Sequence, residues 1–147
     1  MKKIYLILVF LLLAFSGLTQ KVKKKGNIIF IDKKEYVKLE NDKVNPGSFY
    51  ITNLKGEKLI YVKAQNYIDP RFQTKGNPTG RIGYWEICNS IGDTIRFEYA
   101  STKKKICKLF FNEGIINADG TLNRDKLNNL SKKIGKPYTR RRIELRY

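Results

Sequence analysis

The sequence predicts an α+β domain: a small bent antiparallel sheet or partly open barrel of about 5–7 strands, with one or two C-terminal helices. Three observations carry that expectation. Residues 82–99 alternate polar and apolar side chains on both sides of a short loop, as a hairpin does. Several other short apolar runs are separated by Gly, Asn, Asp and Pro, the residues of turns. Near the C-terminus, Leu127, Leu130 and Ile134 recur at helical spacing.

Lys2 and Lys3 precede an apolar run, residues 4–15, and a polar stretch follows. This is the layout of a secretory signal peptide over residues 1–20, with cleavage expected between about 16 and 20. Ala14 and Ser16 supply the small residues that a cut after Ser16 requires. The apolar run falls short of the ~20 residues of a comfortable membrane helix, so no membrane span is expected after cleavage. Export to a periplasm or the exterior follows from this reading. The alternative is an uncleaved signal anchor, which would hold basic residues 21–25 beside anionic lipid. Residues 21–26 read as a basic flexible arm, and residues 27–147 as one globular domain.

Within that domain, residues 27–31 and 35–39 form an expected opening hairpin around Asp32-Lys33-Lys34. Residues 49–52 and 58–63 form the next strand pair. In the second strand, Leu59 and Tyr61 are expected on one face, with Ile60 and Val62 on the other. A strand apolar on both sides suggests a sheet covered on both faces. Residues 64–81 show no period and contain Asp69-Pro70 and Gly76-Asn77-Pro78, so they read as a long connection. In the central hairpin, Trp85 and Ile87 are expected to share a face with Ile95 and Phe97. Glu86 and Arg96 then lie on the other face, along with Cys88. Residues 89–93 make the turn.

A helix over residues 103–112 aligns Ile106, Leu109 and Phe110, with Ser101 or Thr102 as its cap. Three lysines in its first turn oppose the helix dipole. The firmer helix spans residues 121–135, capped by Asn123, with Asp125 in the first turn and Gly135 at its end. Asp119-Gly120 lacks the ligand spacing of a calcium loop and reads as a turn. The tail, residues 136–147, is read in two ways. It is a final edge strand with Ile143 and Leu145 inward, or an anion-binding segment in which Arg140, Arg141 and Arg142 stand beside Tyr138.

Cys88 and Cys107 are the two cysteines. An exporting compartment permits a disulfide between them, closing a loop of about 20 residues worth about 3 kcal/mol. Two separate buried thiols are the other reading.

The 147 residues carry 30 Lys and Arg against 13 Asp and Glu, a formal charge of +17, which favours anionic partners. An anionic polymer, a lipid headgroup or an acidic protein of the cell envelope all qualify. Genomic nucleic acid is not expected, because the chain is exported and has no recognition motif. The candidate anion-binding residues are Arg71, Lys75 and Arg81 of the long connection and Arg140, Arg141 and Arg142 of the tail. With no histidine, histidine-based catalysis and the usual zinc sites are excluded. Phosphate-binding glycine loops and nucleophile motifs are absent from the sequence. No catalytic residue, metal site or cofactor is expected. The leading expectation is a basic, non-enzymatic exported protein that binds an anionic envelope component. One alternative is an assembly protein using a sheet edge. The other is a small carboxylate-dependent hydrolase, for which Glu86 and Glu98 on the hairpin's outer face offer a pair.

Overall fold

Among the described residues, seven antiparallel strands pair strictly in chain order. They are β1 (Val22–Lys25), β2 (Ile28–Ile31), β3 (Lys34–Asn41), β4 (Phe49–Thr52), β5 (Lys58–Ile68), β6 (Arg81–Asn89) and β7 (Arg96–Tyr99). β1 and β7 are the two edges and do not pair with each other, so the sheet is open rather than a closed barrel. The structure, a computed structural model, describes residues 20–89 and 95–146. Residues 1–19 of the expected signal peptide and residues 90–94 of the central turn lie outside the described residues.

Strand alternation builds one apolar face. Leu39 faces Ile51, which faces Ile60. Phe49 faces Val62, Val62 faces Ile87, and Ile87 faces Phe97. All of these are buried, each contributing roughly 1.5–3 kcal/mol of hydrophobic stabilisation. Trp85 faces Tyr99 in the same hairpin, so the expected sharing of a face by Trp85, Ile87 and Phe97 is observed. Trp85 packs edge-on against Phe49 and donates its indole N–H to the Ser101 carbonyl at 2.7 Å.

Two bulges adjust this pattern. Ile29 faces Val37 while Phe30 faces Glu35, which makes Tyr36 the extra residue and packs it against the core. Ile51 faces Ile60 while Thr52 faces Lys58, so Leu59 is extra and is buried in the same core cluster as Ile60. The bulge therefore explains the doubly apolar strand that the sequence suggested was covered on both faces.

α1 (Lys103–Asn112) lies on the apolar face and buries Ile106, Cys107 and Phe110. The Thr102 hydroxyl accepts from the Lys105 N–H and caps it. At the other end Gly114 (φ +61°) lets the Ile115 N–H reach the Phe110 carbonyl and its own N–H reach Phe111, a Schellman closure. α2 (Arg124–Ile134) buries Leu127 and Leu130, is capped by Asn123, and packs along β7. α3 (Pro137–Glu144) follows directly across Gly135-Lys136.

The α2–α3 junction turns around the sheet's β7 edge. The Glu98 N–H, on β7, donates to the Gly135 carbonyl at 3.0 Å. Glu98 and Tyr84 alternate with Phe97 and Ile87, so they point to the outer face. There Tyr138 of α3 stacks on Tyr84, with ring centroids 4.8 Å apart.

Four expectations are corrected. Residues 21–26 are not a free arm, because Val22–Lys25 is an edge strand with Lys24 facing Ile29. The long connection shrinks to residues 69–80, because β5 continues to Ile68 and pairs with β6 as far as Arg81. The tail is helical rather than an edge strand, since Pro137 starts a helix and the Gly135 carbonyl already occupies the β7 edge. Cys88 and Cys107 are not bonded; both are free thiols. Cys88 sits beside Ile87 on β6, so alternation sends it to the outer face opposite Tyr61 and Arg96. Cys107 lies in the core on α1, on the other side of the sheet.

Candidate anion-binding surface

The fold brings part of the expected arginine set together and neutralises part of it. Asp69 is fully buried at the end of β5. Its carboxylate accepts from Arg71 Nε and Nη2, both at 2.9 Å, and from the Arg71 backbone N–H at 3.1 Å. This fork fixes a single 3-10 turn, Pro70–Phe72, and the Arg71 hydrogen bonds hold the Asp69 carboxyl below the usual carboxylate range. Gly80 (φ +65°) closes the connection beneath it. A Cβ there would sit 2.3 Å from the Asp69 carbonyl oxygen.

Arg141 of α3 reaches the same place, with its guanidinium 5.6 Å from the Phe72 ring centroid. Burial, with the Glu98 charge, raises the Tyr84 phenol above the usual tyrosine range, and the Arg142 charge opposes that rise. Lys75, Arg81 and Arg140 are exposed. Connection and tail therefore meet on the outer face, but Arg71 is held by a buried carboxylate.

Glu98 anchors this arrangement. It is 3% exposed, and one carboxylate oxygen accepts from the backbone N–H groups of Tyr138 and Thr139 at 2.8 and 2.9 Å. The other accepts from the Thr139 hydroxyl. α3 has no side-chain cap of its own, so a strand carboxylate supplies it, complementing the helix dipole. Glu86, directly across from Glu98, accepts from Gln65 and pairs with Arg96 at 3.6 Å. Both members of the expected carboxylate pair thus serve contacts within the fold.

A second basic surface emerges that the sequence reading did not assemble. β1 presents Lys23, Lys24 and Lys25, and α1, which opens with Lys103, Lys104 and Lys105, packs against β1. Lys103 lies over the Phe49 ring at 4.4 Å and donates to Asn41 Oδ1 at 3.2 Å. Burial, with the nearby Lys24 charge, pushes its ammonium below the usual lysine range. Lys23, Lys24, Lys25, Lys104 and Lys105 are all exposed, and among the described residues none has a carboxylate within ion-pair distance. The available signal was the pair of lysine triplets, the second placed where a helix disfavours positive charge.

On the core side of the sheet, a cavity of about 460 Å³ is lined by Tyr36, Phe111, Leu54 and Ile116, with Glu35 and Asp119 also among its lining residues. Asp119 accepts from the Thr121 N–H and hydroxyl, as expected of a turn. Among the described residues there is no group of three or more His, Cys, Asp or Glu able to hold a metal. Nor is any helix among them long and apolar enough to cross a membrane. No family model, curated protein or solved structure matches this chain.

Proposed function

We propose that this chain is an exported, non-enzymatic protein that binds an anionic component of the cell envelope. The observation that carries the reading is the unpaired lysine surface of β1 and the first turn of α1. Its positive charge has no carboxylate partner among the described residues, so an external anion would relieve the mutual repulsion. Exposed Lys75 and Arg140 and half-exposed Arg142 form a secondary surface for the same class of partner, with Arg71 and Arg141 in a supporting place, while Arg81 lies on the strand face of Trp85 and Ile87. The apolar leader in the sequence supports export to the periplasm or beyond.

The sheet-edge reading narrows to β1, because the Glu98 N–H of β7 is taken by Gly135. Lysines along β1 discourage neutral strand addition. The hydrolase reading gains no support from Glu98, whose oxygens are both engaged by α3.

The test is elution from an immobilised polyanion by a salt gradient. The variant Lys23→Glu, Lys25→Glu, Lys104→Glu, Lys105→Glu should elute at much lower salt than the parent. The variant Arg140→Glu, Arg142→Glu should shift less. Co-elution of the lysine variant with the parent would sink the proposal.

A further inference from the structure

We infer that the anionic partner of the lysine surface is a phospholipid headgroup layer, met edge-on by β1 and the start of α1; the inference rests on the anion-binding reading above. The chain enters the fold beside these lysines. The Lys21 N–H donates to Asp32 Oδ1 at 3.0 Å, and the Asp32 N–H donates back to the Lys21 carbonyl at 3.2 Å. Lys108 Nζ of α1 donates to the Gln20 carbonyl at 3.3 Å. The chain is therefore pinned as it enters, directly beside the exposed lysines of β1 and α1.

The apolar run of residues 4–15 stands just upstream in the sequence. Residues 16–19, fully extended, span at most about 14 Å. In the uncleaved chain, a run held in the bilayer would draw this surface, and no other, against the headgroups. In the cleaved chain, the new α-amino group adds positive charge at the same place. Both states of the N-terminus favour one orientation.

Lys23 and Lys25 point to one face of the sheet and Lys24 to the other, because a strand alternates. A flat layer reaches all three together only along the sheet edge, and β1 is that edge. The first turn of α1 adds Lys104 and Lys105 beside it. Flexible ammonium groups suit a fluid layer of phosphates, whereas a guanidinium fork suits a fixed one. Each lysine brought to an anionic leaflet strengthens attachment about five-fold.

The experiment is co-sedimentation of the full chain with phosphatidylcholine vesicles, with and without phosphatidylglycerol, at physiological ionic strength. Soluble polyphosphate binding is measured in parallel. The chain should prefer the anionic vesicles by at least about a hundred-fold. Replacing Lys23, Lys24, Lys25, Lys104 and Lys105 with glutamine should remove most of that preference, while Arg140→Gln with Arg142→Gln retains it. Thermal unfolding of the five-lysine variant checks its fold. Lysine-dependent binding to polyphosphate without preference for anionic vesicles overturns the lipid inference and leaves the anion reading standing. Binding to neither overturns both. A vesicle preference that survives in the five-lysine variant also overturns the inference, because the apolar leader or the arginines would then carry it.

Discussion

The outer-face arginines and the β1–α1 lysines carry the same sign of charge but hold it in opposite ways. At the β7 end, Arg71 is forked onto buried Asp69, Arg141 lies over Phe72, and Glu98 fastens the start of α3. At the β1 end, the lysines face solvent without ionic partners among the described residues. In the first region Arg71 and Arg141 are engaged in closing the fold, and the second region leaves its charge available. The run Arg140-Arg141-Arg142 is the densest positive feature of the sequence, yet density alone does not identify the free charge. A carboxylate partner marks Arg71 as engaged, whereas Arg140, Arg141 and Arg142, like the β1–α1 lysines, have no ion pair among the described residues.

The largest effect expected from that contrast is at Glu98. Glu98→Ala leaves two backbone donors and a hydroxyl without their acceptor and should cost about 3 kcal/mol in denaturant unfolding. Hydrogen exchange should rise first in α3, because its start is held by this carboxylate. Glu98→Gln, which keeps acceptor capacity but no charge, should recover part of the loss. If α3 stays protected in the alanine variant, stacking of Tyr138 on Tyr84 holds the helix instead, and the contrast between a fastened end and a free end weakens.

A smaller effect of opposite sign is expected at the other end. Lys104→Glu and Lys105→Glu put negative charge into the first turn of α1, each stabilising by about 0.5–1 kcal/mol through the helix dipole. The second also places a glutamate three residues after Thr102, which completes a capping box. Both should weaken anion binding while raising the unfolding midpoint. A fold that tolerates costly charge at these positions is expected if the charge has a use. Lysines whose reversal changed stability but left every anion affinity intact would have only a structural effect.

This contrast was partly legible in the sequence. Period-two alternation located the opening and central hairpins, including the shared face of Trp85, Ile87 and Phe97. Both core-facing helices were visible, α1 with its observed bounds and with Thr102 as one of two candidate caps, and α2 from Leu127 and Leu130. β1 was not visible, because Val22 is the single apolar residue in a lysine run and its strand exists through pairing with β2. The second half of β5 is polar, and its pairing with β6 sets its length. α3 has no apolar stripe to announce it, and its cap comes from a glutamate about 40 residues earlier in the chain. The lysine surface joins two triplets far apart in sequence, so it exists only after β1 and α1 pack together.

The same logic of faces governs the cysteines, where the expected effect is smallest. A disulfide would have added about 3 kcal/mol, so reductant would lower the unfolding midpoint if one formed. With Cys88 on the outer face and Cys107 in the core, reductant should leave the midpoint unchanged. Burial pushes the Cys107 thiol up to about 12, and burial with the Glu86 charge raises that of Cys88. Raised values mean less thiolate at pH 8, so alkylation of the native protein should be slower than for an exposed cysteine. Half-buried Cys88 should react first, its rate climbing with pH, and Cys107 only as the chain unfolds. Equal rates for the two thiols in the native state would mean that α1 leaves the sheet readily. The lysine surface, which depends on α1 resting against β1, would then be a transient feature rather than a fixed one.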